Sequence, residues 1–433
     1  PSWCNNSDLA YPPKTTPPLD VIFSATFEKR RCLSLAADML LCSRKGKLEF
    51  HEFKYTEINI INLYHGKYGN VVKSLFEEKS RLDFLFNNGL AEIYANARNA
   101  LYPDIKVNDV FCNRAASKLD EIMIKYNIEY TNFLDICAGP GSMSDYLLRK
   151  NENSTGIGIT IESDEESKNF YTHLKRHSRY ICIEHDILNE NGDILKLLNG
   201  KKIDFCIADG APSENDYKDE NLQECAAFDI LNSEMIYILH VLAEGGNLVI
   251  KLFDIFHEYS RSLIYLLTKM FKFVYLTKPT HSRVVNSEKY IICLYYDILE
   301  HDKIRIIGQL LSYKTKTNMI PSALINVPTD SKFTAAIDKF IHDKSREQTV
   351  ALKHVIDRCY DYISGIAIDE EATKGKGKGK SSKNKGKGKG KRKNCKNNKI
   401  KKNNARQNVP NEKNMNEELL KKQEDNEESL FPD

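Results

Sequence analysis

The sequence predicts an α/β fold built on a seven-stranded, mostly parallel sheet, and three observations carry that expectation. Between Val107 and Leu299, short apolar runs rich in Ile, Val, Phe and Cys alternate with amphipathic segments. That is the pattern of parallel strands covered by helices on both faces. One run, FLDIC, leads into a glycine turn, AGPGS, that opens a helix, as at the carboxyl end of a strand in such sheets. The last two runs are joined by one loop with no crossover helix, so they form an antiparallel edge.

In chain order, residues 1–20 are proline-rich and polar and read as an extended arm. Residues 21–101 read as a mostly helical preface, because YTEINIINLYHGKYGNVVKSLFEEKSRLDFLF and LAEIYANARNALY carry apolar residues at helical spacing. The main domain covers 102–299. Its predicted strands are FLDIC (133–137), GIGIT (156–160), RYICIE (179–184), IDFCIA (203–208), NLVIKLF (247–253), FVYL (273–276) and KYIICLYY (289–296). Segments such as SDYLLRK and FDILNSEMIYILHVLAE supply the intervening helices. Residues 300–368 read as a helical extension through FTAAIDKFIHD and ALKHVIDRCYDYI. Residues 369–433 are rich in Lys, Gly and Asn, have too few apolar residues to bury a core, and are expected to be disordered.

Bulk composition excludes several classes. No run of 18 apolar residues occurs in the 433, so no membrane-spanning helix is expected. The start, PSWCNNSDLA, has no basic segment followed by an apolar one and does not read as a signal peptide. It begins with Pro rather than Met, which suits a piece of a longer precursor. The eleven cysteines stand singly, without a CxxC pair, which argues against zinc and for reduced, intracellular thiols. Residues 374–402 hold 15 Lys/Arg and no acid, leaving 48 basic against 60 acidic residues elsewhere. An acidic body with a cationic tail favours polyanions.

The glycine turn points to a nucleoside-type cofactor. Cys137, Ala138, Gly139, Pro140, Gly141, Ser142 and Met143 form it, and its glycines allow close backbone approach to a ligand. A dinucleotide site would want G-x-G-x-x-G, but the third position is Ser144, and the GK[ST] of a P-loop is absent. A purely structural tight turn is the alternative. Glu162 and Asp164 are the nearest acids for a ribose diol, and Asp186 in EHDIL is placed to meet an adenine amino group or to cap a helix. Together these elements suit S-adenosylmethionine better than a dinucleotide.

Four charged residues complete the site: Lys118 in NRAASKL, Asp209 in DFCIADGAP, Lys251 in GGNLVIKLF and Glu288 in KPTHSRVVNSEKYIIC. Two lysines and two carboxylates suit methyl transfer to a ribose hydroxyl, which needs deprotonation and in-line placement. A lysine serves as base only when its pKa falls from about 10.4 toward neutrality, which burial or a second cation achieves. Lys251 is the better base because an apolar run leads into it. Lys118 then supplies the second charge, while Asp209 and Glu288 orient the lysines. Taken alone, Lys118 reads as a helix-surface lysine and Glu288 as an ordinary loop acid.

With those motifs in place, the chain resembles the FtsJ/RrmJ-like family of S-adenosylmethionine-dependent RNA ribose 2′-O-methyltransferases, over roughly residues 95–296. The resemblance implies a Rossmann-like methyltransferase fold and a catalytic tetrad of Lys118, Asp209, Lys251 and Glu288. Within the family it is most similar to the cap-specific mRNA enzymes, through ANARNALYP, VFCNRAASK and KPTHSRVVNSEKYIIC. That finer resemblance implies cofactor contact by Asn113. It also implies cap or RNA contacts by Arg98, Arg114, Ser282, Arg283 and Asn286. The chain departs from the family where Gly141-Ser142-Met143 replaces Gly-Gly-Phe, which loosens the methionine side of the pocket.

The reading is therefore a methyltransferase acting on the 2′-hydroxyl of the first transcribed nucleotide of a capped RNA, with S-adenosylmethionine as cofactor and no metal. A ribosomal or transfer RNA ribose methyltransferase and a catalytically idle RNA-binding subunit are the alternatives. No membrane partner is expected. The Lys-Gly tail reads as a non-specific RNA tether, with a nuclear localisation signal or a solubilising tail as the other readings. The expected address is intracellular, nucleus or cytoplasm, or the host cytoplasm should the Lys/Asn-rich composition reflect a viral origin.

Overall fold

The computed structural model describes residues 39–42, 48–50, 52–57, 68–103, 113–164, 168–189, 192–213, 219–313, 319–329 and 331–365. The expected arm (1–20) and the expected disordered tail (369–433) lie outside the described residues, as do Phe111 and Cys112.

Seven strands come from the main domain: β3 (Asn132–Ile136), β4 (Thr155–Thr160), β5 (Tyr180–Glu184), β6 (Ile203–Ala208), β7 (Leu242–Phe253), β8 (Phe271–Thr277) and β9 (Glu288–Tyr296). An eighth, β1 (Met39–Cys42), joins them in the order β1-β8-β9-β7-β6-β3-β4-β5. The pairs β3–β4, β3–β6, β4–β5 and β6–β7 are parallel, and helices cover both faces. Such strands must be apolar on both sides. Accordingly Phe133, Leu134, Ile136, Phe205, Cys206, Ile207 and Ala208 are all fully buried.

The antiparallel strand sits one place in from where the sequence suggested. β9 pairs antiparallel with both β7 and β8, so it lies between them. The helix Glu258–Met270 separates β7 from β8 in sequence and leaves room for one more strand. β9 fills it because Tyr290, Ile291, Ile292 and Cys293 need cover on both faces, and all four are fully buried. The outer edge is β1, antiparallel to β8. It comes from the segment expected to be helical; its four residues, MLLC, are too few for periodicity to declare either state.

The preface is thus not uniformly helical. A small sheet pairs β2 (Tyr55–Glu57) with β10 (Met319–Pro321), and Tyr55–Glu57 belongs to a run read as helix from its spacing. The helices Gly69–Asn87 and Ala91–Leu101 do follow. They pack on the long helix Lys332–Ile363, so Val72, Leu75, Phe76 and Leu85 share a core with Phe340, Leu352, Val355 and Ile356. Preface and extension therefore form one layer around the main domain. Gln348 of the long helix donates to the Val285 carbonyl at 3.2 Å and to Ser287 Oγ at 3.2 Å, which ties that layer to the loop before β9.

A buried ionic triad makes a second tie. Asp254, just past β7, accepts from Lys79 of the helix Gly69–Asn87 at 2.7 Å and from Lys289 of β9 at 2.7 Å. None of the three side chains is more than 4% exposed. Burial penalises the Asp254 carboxylate, but the two ammonium groups outweigh that and hold its pKa far below the usual range.

Candidate active site

The sheet register assembles the charged residues. Lys251 of β7 lies opposite Tyr290 of β9, and Phe253 lies opposite Glu288. Side chains two apart on a strand share a face, so Lys251, Tyr290 and Glu288 stand on the same side. Asp209 arrives beside them because Ala208, ending β6, pairs with Ile250. Lys118 reaches in from the helix Arg114–Tyr126.

Lys251 Nζ donates to the backbone carbonyl of Asp209 at 2.8 Å and lies 3.2 Å from its Oδ1. Lys118 Nζ forms an ion pair with Glu288 Oε1. With 12% of its side chain exposed, Lys118 is not a surface lysine. The Tyr290 hydroxyl stands between the two acids, 2.8 Å from Asp209 Oδ1 and in hydrogen-bond contact with Glu288 Oε1. The four residues singled out in the sequence therefore form one chain of contacts, and Tyr290 joins its halves.

The carboxylates of the cluster pull Lys251 away from neutrality. Burial works to lower the Lys251 pKa, but Asp209 and then Glu288 outweigh it, and the net direction is upward. Lys118 neutralises Glu288. Burial would raise the Glu288 pKa, yet Lys118 and Lys251 hold it far below the usual carboxylate range. Tyr290 is pushed well above its ordinary value by burial, then by Asp209 and Glu288, so its hydroxyl stays a hydrogen-bond donor. The net effect favours the charged form of Lys251.

A cleft of about 110 Å³ runs along the glycine turn, lined by Asn113, Ala115, Asp135, Cys137, Ala138, Gly139, Pro140, Ser142, Met143 and Asp209. The turn is bolted to the protein. Ala138 N–H donates to the Ile159 carbonyl at 2.9 Å, and Gly139 N–H to Thr160 Oγ1 at 3.2 Å. A Cβ on Gly139 would stand 2.4 Å from the Lys168 carbonyl oxygen, and one on Gly141 (φ 107°) 2.2 Å from Leu174 Cδ1. Gly139 is thus required by the backbone packed against it and Gly141 by its left-handed φ, beside the ligand approach expected from the sequence. Ser142 Oγ is 3.0 Å from the Tyr171 hydroxyl and Met143 is buried.

Asp135 is the unforeseen acid of this cleft. One oxygen accepts from Ser144 Oγ at 2.7 Å, and the other, Oδ1, is buried without a hydrogen-bond partner among the described residues. Burial, opposed by Ser144 and assisted by Asp209, raises its pKa to about 7. A ligand bearing positive charge would find counterions in Asp135 and Asp209. Asp186 is not among the residues lining this cleft. Its carboxylate accepts from Leu188 N–H at 3.0 Å, closing a turn rather than capping a helix. Glu162 and Asp164 are exposed beyond β4.

A second cleft of about 260 Å³ adjoins the first and shares Asn113 and Ala115 with it. Arg114, Lys118, His281, Ser282, Arg283, Asn286 and Glu288 complete its wall. Asn113 caps the helix behind it, its Oδ1 accepting from Ala115 N–H at 2.8 Å. Ser282 and Asn286, expected beside RNA, also brace the acid: Asn286 Nδ2 donates to Glu288 Oε2 at 3.1 Å, and Ser282 Oγ lies 3.4 Å from the same atom. Arg98 and Arg283 come together through Asn99, whose Oδ1 accepts from both guanidinium groups at 3.2 Å.

Sequence reasoning missed three supports. Lys278 Nζ donates to Asn286 Oδ1 at 2.7 Å, to the Asn286 carbonyl at 2.9 Å and to the Glu288 carbonyl at 2.7 Å. Withdrawal from water and the charge of Lys289 push its pKa well below the ordinary lysine value. Glu234, buried in the helix Phe228–Val241, accepts from Gly210 N–H at 2.9 Å and so fixes the backbone next to Asp209. Burial lifts its pKa to about 8. Tyr290 is the third, and its place two residues after Glu288 on one strand was the available signal.

No group of three or more His, Cys, Asp or Glu is arranged to hold a metal ion among the described residues. Nor is any described helix long and apolar enough to cross a membrane.

A family model described as FtsJ-like methyltransferase matches residues 111–296. A cap-specific mRNA (nucleoside-2′-O-)-methyltransferase 1 from Trypanosoma brucei brucei is 32% identical over 256 residues, covering 51% of this chain and 67% of the relative. The Xenopus laevis protein of the same name is 31% identical over 259 residues, covering 52% of this chain and 30% of the relative. The chain thus spans two-thirds of the trypanosomal relative and under a third of the amphibian one. Among solved structures, a putative ribosomal RNA methyltransferase from Plasmodium falciparum aligns with 23% identity and a TM-score of 0.34, over 42% of this chain and 97% of that one. The match over the glycine turn and all four charged residues, with the identity and coverage of the trypanosomal relative, makes this chain a member of the FtsJ-like methyltransferase family.

Proposed function

We propose that this chain methylates the ribose 2′-hydroxyl of the first transcribed nucleotide of a capped RNA. The observation that carries the reading is that three members of the tetrad line two adjoining clefts of opposite character, with Lys251 held by Asp209 behind them. Asp209 faces the acid-lined cleft at the glycine turn, Lys118 and Glu288 face the cation-lined one, and Tyr290 bridges the acids between them. A cationic donor and an anionic acceptor would meet there.

The family's methyl donor is S-adenosylmethionine. The first cleft suits it: the unpartnered Asp135 Oδ1 offers a counterion for the methionine ammonium, and Asp209 offers one near the sulfonium. When bound, the donor supplies an electrophilic methyl group. Asp186, at the same end of the sheet beyond β5, is the acid we assign to the adenine side.

Lys251 accepts the proton of the 2′-hydroxyl as the ribose oxygen gains the methyl group. Its own proton must first pass to bulk solvent, before the RNA closes the site, because Asp209 and Glu288 hold it charged. A second positive charge entering beside Asp209 competes for that carboxylate and shifts Lys251 toward the neutral amine. The Asp209 carbonyl keeps the amine aimed, and exclusion of water by the RNA strengthens these interactions.

The cap preference rests on Arg98 and Arg283. Two guanidinium groups brought together at the Asn99 side chain suit the phosphates of a cap bridge, and the names of the relatives fit that substrate. An intracellular address accompanies it. The basic segment 374–402 would add salt-dependent RNA affinity. Methyl incorporation into short capped and uncapped transcripts of one sequence tests the reading. Equal rates on both would contradict the cap preference, and incorporation only into structured ribosomal or transfer RNA would replace it.

A further inference from the structure

The second cleft contains a histidine whose tautomer is fixed from behind. Glu121 lies on the helix Arg114–Tyr126, one turn beyond Lys118, and its carboxylate gathers four groups from the loop before β9. Its Oε1 accepts from Thr280 N–H at 2.8 Å and from Thr280 Oγ1 at 2.9 Å. Its Oε2 accepts from His281 N–H at 3.1 Å and meets His281 Nδ1 at 2.7 Å. Burial would raise the Glu121 pKa, but His281 and the backbone donors outweigh it and the net direction is down. Glu121 is therefore an ionised carboxylate, which only accepts hydrogen bonds. It follows that His281 Nδ1 carries a proton.

With Nδ1 turned to Glu121, Nε2 is the ring atom left for the cleft. In the neutral imidazole, a proton on Nδ1 leaves Nε2 a bare acceptor. His281 lines the cation-lined cleft, its side chain is 19% exposed, and Nε2 has no hydrogen-bond partner among the described residues. The loop that carries it is anchored on both sides, by Glu121 at Thr280 and by Lys278 at Asn286, so the ring cannot turn without breaking its bond to Glu121.

We infer that His281 Nε2 accepts a hydrogen bond from a neutral donor on the bound RNA, a ribose hydroxyl or a base N–H, and that Glu121 sets this polarity. His281 is thus a recognition group unlike its neighbours Arg114, Lys118 and Arg283, which offer only donors and suit phosphate. This inference rests on the RNA-methyltransferase reading of the same site. A ribose hydroxyl at this point would let the cleft tell RNA from DNA.

Two measurements on the full chain test it. Ring nitrogen NMR of the free protein should show His281 protonated at Nδ1 and bare at Nε2. A ring protonated at Nε2, with or without a proton on Nδ1, would overturn the inference whatever the enzyme's activity. Binding of a short capped RNA should weaken about tenfold in His281→Ala, the scale of one lost hydrogen bond, with the salt dependence of binding unchanged. His281→Lys, which supplies a permanent donor, should not restore it. Affinity unchanged in His281→Ala, or restored in His281→Lys, would overturn it, as would a salt slope that falls by about one, the mark of a lost phosphate contact. RNAs with single 2′-deoxy positions then separate the sources. A position that weakens wild-type binding but not His281→Ala identifies the hydroxyl, and the absence of any such position identifies a base donor. Failure of the enzyme reading would appear separately, as no methyl transfer by wild type.

Discussion

The ammonium of Lys251 is held by Asp209 through two different atoms, the backbone carbonyl at 2.8 Å and the carboxylate Oδ1 at 3.2 Å. The carbonyl fixes where the amine points, and the carboxylate fixes its charge. Those are separable, and the separation makes the base testable. Lys251→Ala should lower the single-turnover rate about 10³-fold, within the range for loss of a general base, while RNA affinity stays within about threefold. A filter-binding assay beside a methyl-transfer assay reads both. Loss of binding in parallel with rate would instead make Lys251 an RNA-anchoring residue.

The pH dependence follows from the direction of the Lys251 shift. Its pKa lies above the ordinary lysine value, so the neutral amine is a minor species at pH 7 and grows with rising pH. The logarithm of the single-turnover rate should climb with a slope near one from about pH 6 to pH 9. Asp209→Asn removes the largest charge that holds the proton and should move that limb to lower pH, with a reduced plateau. A flat profile across this range would exclude Lys251 as the proton acceptor.

Tyr290→Phe removes only the hydroxyl that separates Asp209 from Glu288. Two carboxylates then lose a shared donor. The expected result is a 10- to 100-fold drop in rate, from about 1.5–3 kcal/mol for a hydrogen bond to a charged group, with little change in cofactor affinity. Isothermal titration with S-adenosylhomocysteine beside single-turnover kinetics separates the two effects.

Asp135 should make cofactor binding pH-dependent. Its carboxyl has a pKa of about 7 in the free protein because burial is only partly offset by Ser144, and an arriving ammonium favours the ionised form. Affinity for S-adenosylhomocysteine should therefore fall as pH drops below 7, and binding at pH 7 should release a fraction of a proton. Asp135→Asn should bind more weakly and lose this dependence. Titration in buffers of different ionisation enthalpy measures the released proton directly.

The Lys79–Asp254–Lys289 triad should matter for folding more than for chemistry. Asp254→Asn leaves two ammonium groups buried without a counter-charge, a loss of about 3–5 kcal/mol, read by urea denaturation at pH 7. The Asp254 pKa is depressed in the folded state. The stability it contributes is therefore complete above its unfolded value of about 3.9 and disappears as pH falls through the folded one. The wild-type advantage over Asp254→Asn should persist at pH 6 and shrink on acidification below pH 4.

Much of the architecture was legible because parallel strands buried on both faces leave unbroken apolar runs. IDFCIA and NLVIKLF could hardly be anything else; the first runs directly into Asp209, and the second carries Lys251 inside it. The antiparallel β9 was legible as a strand but not as an insertion, since its place depends on the gap between β7 and β8, which no local pattern encodes. β1 was hidden because four apolar residues carry no period. The tetrad was visible through its flanking motifs, whereas Asp135, Glu234, Lys278 and Glu121 were not. Two of them act through partners outside their own motif, Glu234 through Gly210 and Glu121 through Thr280 and His281, and the other two through folded contacts that no spacing declares. The sign of the Lys251 shift was also beyond the sequence, because it depends on Asp209 and Glu288 outweighing burial.

The most direct test is the mass of the nucleotide that gains the methyl group. A short capped RNA, methylated by the full chain with S-adenosylmethionine and digested to nucleosides and cap dinucleotides, should carry one added methyl on the ribose of the first transcribed nucleotide. Lys251→Ala should leave that position unmodified. A methyl group on a base, on an internal ribose, or at equal yield in uncapped RNA would contradict the account.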